Sequence, residues 1–334
     1  MPVTVRQRRQ PPEAPDLLRE LGERVVGQSR AIEQIVPYVQ MFQAELAPEG
    51  RPAGVFLLLG PTGTGKTRTV EALAEVLHGS HRNLLKVDCG EFQMEHEVAK
   101  LIGAPPGYLG HRETTPMLTQ QKLGAVVSER SGLSLLLFDE IEKAAPSMTR
   151  LLLGVLDKAL LRLGDNSTVN FERTLIFLTS NLGAREMRKE MSPDFGFEAV
   201  LPPRESKKLS AIGMSAVKRK FAPEFVNRID AVITYQPLDA ASLAVIVDQQ
   251  IAELERHIGN RLSERAFELE VGPAAREFLL KKGTSSEYGA RELKRTILRH
   301  LTQPLAAMVA SGQIEPDALV TAEVDGDRLS LTVD

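Results

Sequence analysis

The residues whose types and spacing could do chemistry begin with one run, Gly60-Pro61-Thr62-Gly63-Thr64-Gly65-Lys66-Thr67. Glycine, four residues, then glycine, lysine and threonine is the pattern of a phosphate-binding loop. The glycines let backbone N–H groups turn inward around phosphate oxygens, and a following helix N-terminus adds a favourable partial charge. In this reading Lys66 reaches the outer phosphates and the Thr67 hydroxyl binds Mg2+. Phosphoryl transfer to water also needs an oriented water and a cation near the γ-phosphate. Asp139 and Glu140 follow an apolar run, and Asn181 closes another. Asp139 fits a metal ligand acting through water, and Glu140 fits the group that polarises the attacking water. Asn181 fits a holder of the γ-phosphate or of that water. The plainer readings are two solvated acids at a strand end and an asparagine capping a turn.

The elements around these residues must place them together. The run 54–59 reads as a buried strand and 67–77 as a helix, the context a phosphate loop requires. Helices are expected over 16–26, 29–46, 91–102, 117–130, 147–161 and 210–221, and strands over 83–88, 133–138, 173–178 and 231–235. Strands alternating with helices imply an α/β fold with a parallel, doubly wound sheet, which binds ligands at the carboxyl ends of its strands. Residues 103–110 hold three glycines and two prolines and read as a loop, as does the proline-rich stretch 192–206. Pro237 marks a boundary. Beyond it come helices over 239–257, 273–282 and 289–311 and strands over 267–271, 319–324 and 328–333, a small C-terminal α+β domain. The expected division is a disordered lead-in at 1–15, a large domain at 16–236 and a small domain at 237–334.

Composition narrows the class. A chain of 334 residues with 43% hydrophobic and 25% charged residues can bury a large core. A net charge of −3 argues against a dominant nucleic-acid surface. One cysteine, Cys89, excludes an internal disulfide and reads as a small buried residue. No apolar run approaches the ~18 residues of a membrane span. The N-terminal stretch is rich in Arg and Pro without an apolar core, so a cytoplasmic protein is expected.

The motifs, taken together, resemble the second, C-terminal ATPase module of the Clp family of AAA+ protein unfoldases, ClpB and ClpC among them. In family order stand Val26-Gly27-Gln28, the phosphate loop, Gly-Ala-Pro-Pro-Gly-Tyr-Leu-Gly at 103–110, Leu-Phe-Asp-Glu-Ile-Glu-Lys at 137–143, and Thr-Ser-Asn-Leu-Gly at 179–183. They are followed by Pro-Glu-Phe-Val-Asn-Arg-Ile-Asp at 223–230 and Tyr-Gly-Ala-Arg-Glu-Leu-Lys-Arg at 288–295. The resemblance implies an AAA+ phosphate-loop NTPase that hydrolyses ATP with Mg2+ between subunits of a homo-hexamer. It implies that Val25 and Val26 wall the adenine pocket and that Asn181 is a first sensor. Arg228 matches a finger acting on the neighbouring subunit and Arg291 a second sensor. Taken singly, both arginines would read as solvated cations. The resemblance also places Tyr108 and Leu109 in a pore loop that grips unfolded polypeptide, a job suited to an aromatic ring between glycines.

Departures from the family pattern qualify this. Neither the usual first ATPase ring nor an N-terminal domain stands before the motifs, so a lone module is expected. Residues 156–166 lack the family's Asp-Asp-Gly-Arg and the glycines after it, and Arg68 stands where the family often has Glu. Phe195-Gly196-Phe197 imperfectly matches a tripeptide with which some members dock a ClpP-like peptidase; the plainer reading is an anchor for its own loop. Two rival functions remain open. One is a nucleotide-gated assembly or adaptor protein; the other, disfavoured by the acidic balance, is a nucleic-acid motor.

Overall fold

The computed structural model describes residues 14–103, 115–190, 203–262, 265–284 and 289–334. These fall into two compact units, with the main crossing between Tyr235 and Gln236; the loop residues Pro61–Thr64 and residues 203–205 group with the second unit. No helix among the described residues is long and apolar enough to cross a membrane.

The first unit is built on a five-stranded sheet. Its elements in order are α1 (Ala14–Arg24), α2 (Ser29–Gln43), β1 (Gly54–Leu59), α3 (Lys66–His78), β2 (Leu85–Asp88), α4 (Ala99–Ile102), α5 (Gln120–Ala125), β3 (Ser134–Asp139), α6 (Pro146–Lys158), β4 (Leu160–Arg162), β5 (Thr168–Asn170), β6 (Thr174–Ser180), α7 (Ala184–Glu190), α8 (Pro203–Lys220), α9 (Pro223–Val226) and β7 (Ala231–Thr234). The sheet order is β2-β3-β6-β1-β7, every pair parallel. A parallel sheet covered on both faces needs continuous apolar strands. β1, Gly-Val-Phe-Leu-Leu-Leu, is buried at all six positions. Alternation then divides its side chains between two cores. Val55, Leu57 and Leu59 join Leu136, Phe138, Ile176 and Leu178 on one face. Phe56 and Leu58 join Leu135, Leu137, Leu175 and Phe177 on the other.

Register follows from this pairing. Leu59 lies beside Ser180, and Asp88 beside Asp139. The motif residues that follow these strands therefore emerge at one edge of the sheet, the carboxyl edge expected of a doubly wound fold.

Several expected elements differ. Residues 91–102 do not form one helix. Asp88 accepts a hydrogen bond from Gly90 N and opens a 3-10 turn, Cys89–Glu91, that sinks Phe92 into the core. The chain restarts with Glu97 accepting from Met94 N, and only Ala99–Ile102 is α-helical. The helix expected over 117–130 spans six residues, Gln120–Ala125, because Thr119 caps its start and Ser128 pairs with Ser131 in a tight return after it. The helix expected to reach 161 stops at Lys158. Ala159 takes φ +52, and β4 then pairs antiparallel with β5 in a hairpin that the leucine-rich sequence disguised as helix. Conversely, α8 starts at Pro203, inside the stretch expected to be irregular, and α7 was not anticipated.

The second unit holds α10 (Ala240–Leu262), β8 (Glu268–Val271), α11 (Pro273–Gly283), α12 (Ala290–Ile297), α13 (Gln303–Ala310), β9 (Leu319–Asp325) and β10 (Arg328–Val333). β8 pairs parallel with β9, and β9 antiparallel with β10, over a core that includes Val247, Leu279, Leu293, Leu301 and Val320. The helix expected over 289–311 contains one wider π-turn, Leu298–Thr302. Pro304 lies just beyond it and has no N–H to offer the carbonyl four residues back, which disfavours a regular α-turn there.

Candidate functional site

The glycine-rich loop leaves β1 and enters α3 directly. Its conformation explains its glycines: Gly60, Gly63 and Gly65 have φ of +147, +78 and +101. At Gly60 the requirement is steric as well. A Cβ there would lie 2.7 Å from the carbonyl oxygen of Tyr235. Tyr235 cannot yield easily, since its N–H is bonded to Leu59 O at 2.7 Å and its buried hydroxyl to Thr69 Oγ1 at 2.9 Å. Gly60→Ala is therefore expected to destabilise the fold by about 1–3 kcal/mol and to weaken nucleotide binding; chemical denaturation and a nucleotide titration would measure both.

Lys66, buried at the first position of α3, turns its amine back into the loop. Its Nζ donates to Gly60 O at 2.7 Å and to Asn181 Oδ1 at 3.0 Å. Asn181 follows β6, and its other side-chain atom, Nδ2, donates to Glu140 Oε1 at 3.2 Å. One asparagine thus bridges the loop lysine and the acid after β3. Its own N–H donates to Glu142 Oε1 at 3.0 Å, while Glu142 Oε2 is buried without a partner.

Asp139 ends β3 with both carboxylate oxygens engaged. Thr179 Oγ1 donates to Oδ1 at 2.5 Å, and Lys86 on β2 pairs with Oδ2 at 2.7 Å. The Thr179 hydroxyl also accepts from Glu140 N at 3.0 Å. Glu140 itself takes φ +58, a left-handed backbone for a residue with a side chain. Such an outlier costs about 1–3 kcal/mol and clusters at functional sites. Its carboxylate pairs with Lys143, three residues on. That hydrogen bond and the Glu140 charge hold the Lys143 ammonium above its usual range. Cys89 lies in the 3-10 turn after β2, fully buried; burial and the nearby Asp139, Asp88, Glu142 and Glu140 charges push its thiol up, leaving it a neutral packing group.

The loop and its surroundings suit a nucleotide. Gly60 leaves no room for a Cβ, the loop glycines bend with positive φ, and a buried ammonium points inward. Thr67 is half-buried in the first turn of α3. Thr64 closes the loop by donating to Pro61 O at 2.9 Å, and Thr62 is half-buried between them. Val25 is buried at the end of α1 and Val26 is half-buried after it. Gln28 is buried with its Cγ toward Gly65.

The structure brings Lys66, Asp139, Glu140 and Asn181 into one hydrogen-bonded group. Arg228 stands apart from it. The arginine side chain is about half exposed and pairs with Asp157 of α6 at 2.7 Å. Its loop is pinned by Asp230, whose carboxylate accepts from Arg51 at 2.6 Å and from Val55 N at 2.8 Å. Asp230→Ala is expected to destabilise the fold by about 1–3 kcal/mol, the cost of leaving that partly buried N–H and guanidinium unmatched, measured by denaturant unfolding. Arg291 is exposed in the first turn of α12, in the second unit. Arg68 turns along α3 and gives Glu75 two hydrogen bonds, at 2.7 and 3.1 Å. Tyr108, Leu109 and Phe195-Gly196-Phe197 lie outside the described residues.

Sequence reasoning missed Lys86, Thr179 and Lys143. Thr179 and Lys143 carried a signal, since each sits inside a quoted motif. Lys86 carried none, because only the pairing of β2 with β3 brings its ammonium within reach of the Asp139 carboxylate.

Residues 51–232 match the family described as AAA domain (Cdc48 subfamily). Residues 238–322 match the C-terminal, D2-small domain, of ClpB protein. The chain is similar to chaperone protein ClpB of Pseudomonas putida, 38% identical over 312 residues that take in 92% of this chain and 34% of the relative. It is similar also to ClpB of Brucella suis biovar 1, 39% identical over 314 residues, 93% of this chain and 33% of the relative. Among solved structures it superposes on the extended S. cerevisiae Hsp104:casein complex with a TM-score of 0.82 and 28% identity, covering 96% of this chain and 52% of that one. For closed-state Hsp104 with ATPγS and FITC casein the TM-score is 0.80, at 28% identity and 96% and 51% coverage. The chain spans about a third of the length of the curated relatives it matches. With the match extending over more than half of its residues, the chain belongs to the AAA family, as an AAA domain followed by a small domain of the ClpB type.

Proposed function

We propose that this chain is an ATP-hydrolysing motor module that assembles as a homo-hexamer and draws unfolded polypeptide through the ring, in the cytoplasm. The observation that carries the ATPase reading is the bridge made by Asn181 between Lys66 and Glu140 at the carboxyl edge of the sheet. Gly60, Pro61, Thr62, Gly63, Thr64 and Gly65 cradle the phosphates, Lys66 neutralises the outer ones, and Val25 and Val26 flank the adenine. Thr67 and, through water, Asp139 hold Mg2+, which when bound neutralises phosphate charge. Glu140 accepts a proton from the water whose oxygen bonds to the γ-phosphorus as the bond to the β-phosphate oxygen breaks. Asn181 orients that water. Arg228 of one subunit serves the nucleotide of the next, and Arg291 reports nucleotide state to the small domain, which begins at about residue 237. Support for a polypeptide substrate comes from the ClpB relatives and from the casein bound in the Hsp104 structures. Tyr108 and Leu109 provide the grip.

Binding of a fluorescein-labelled unfolded polypeptide to the Glu140→Gln chain tests this reading by anisotropy. Capture with ATP, release with ADP, and loss of capture in the Glu140→Gln, Tyr108→Ala chain are expected. ATP turnover by the unchanged chain with no nucleotide-dependent capture by the Glu140→Gln chain would shift the assignment to a nucleotide-gated assembly or adaptor protein.

A further inference from the structure

We propose that Asp157 is a positioning residue for Arg228: it holds the finger guanidinium within its own subunit until a neighbour's nucleotide draws it across. The inference rests on the reading of Arg228 as a finger that acts between subunits. Asp157 sits in the last turn of α6, where the helix presents unpaired carbonyls and a negative side chain is unfavourable. Its compensating cation is Arg228, Nη1 to Oδ1 at 2.7 Å. The arginine backbone is fixed. Arg228 N donates to Phe225 O at 3.2 Å, and two residues on Asp230 is clamped to Arg51 and to Val55 at the start of β1. With the loop pinned, the side chain alone can swing.

The strength of the pair suits a latch. Its side chains are 46% and 35% exposed. A pair this exposed biases an equilibrium by a factor of only about 1.5–5. A phosphate group carries more charge and accepts bidentate hydrogen bonds from guanidinium, so it outcompetes a lone half-solvated carboxylate. Asp157 also stands three residues before the β4–β5 hairpin, so release of Arg228 removes a tether at the root of that hairpin.

Five chains test this: unchanged, Asp157→Asn, Asp157→Glu, Arg228→Ala, and the double variant Asp157→Asn, Arg228→Ala. The readouts are ATP turnover and the protein concentration at which ATPγS half-drives self-association in sedimentation. Asp157→Asn is expected to lower the half-association concentration about 1.5–5-fold and to do nothing in the Arg228→Ala background, while Asp157→Glu, which keeps the carboxylate, stays close to the unchanged chain. No change, a rise, or an equal shift with and without Arg228 would overturn the latch. If Arg228→Ala turns over ATP and associates like the unchanged chain, the finger reading itself fails, a result separate from failure of the latch alone.

Discussion

Removing one guanidinium is expected to nearly silence the assembled protein: Arg228→Ala should lower ATP turnover by about 10³–10⁵-fold, the range for a finger that meets transition-state charge. The structure gives this a particular signature. Arg228 belongs to none of the hydrogen bonds that join Lys66, Asn181, Glu140 and Asp139, and its partner is Asp157 on the far end of α6. A subunit lacking it keeps an intact nucleotide site. Nucleotide affinity should therefore stay within a few-fold of the unchanged chain. Mixing Arg228→Ala subunits with Glu140→Gln subunits should recover activity, because one parent supplies the finger and the other the base. Steady-state hydrolysis across mixing ratios measures this; absence of recovery at every ratio would mean that Arg228 acts on its own subunit.

Glu140→Gln carries the second large effect. Loss of a positioned general base lowers turnover by about 10²–10⁴-fold. The amide retains an oxygen to accept the bond from Asn181 Nδ2, so the bridge to Lys66 survives. The ion pair with Lys143 does not survive. Because Lys143 and Glu140 are both partly solvated, losing that pair costs little stability. Tight ATP binding with arrested hydrolysis is the expected outcome, measured by equilibrium titration and phosphate release. Loss of nucleotide binding would instead give Glu140 a structural part in holding the loop.

Particular residues show why the sequence was legible where it was. Gly60 to Thr67 could be read directly because phosphate binding constrains backbone dihedrals, and glycine records them in the chain itself. The strands after which Asp139 and Asn181 stand were readable because two-sided burial demands unbroken apolar runs. Helix ends were less visible. Residues 91–102 have helical composition, yet a local cap by Asp88 opens a 3-10 turn and the burial of Phe92, a tertiary fact, redirects the chain. The leucine-rich stretch up to 161 reads as helix, but past Lys158 the chain turns, and Leu161 and Val169 bury themselves together in a hairpin. The ion pairs Lys86–Asp139 and Arg228–Asp157 join residues far apart in sequence, so no local pattern announces them.

The most direct test of the central claim is ATP-dependent loss of fluorescence from a folded fluorescent protein bearing an unstructured tail. The unchanged chain and Tyr108→Ala are compared, with ATP hydrolysis recorded in both. Unfolding by the unchanged chain alone, with hydrolysis retained in both, is the predicted result. Hydrolysis in both with no unfolding by either would contradict a polypeptide-threading motor.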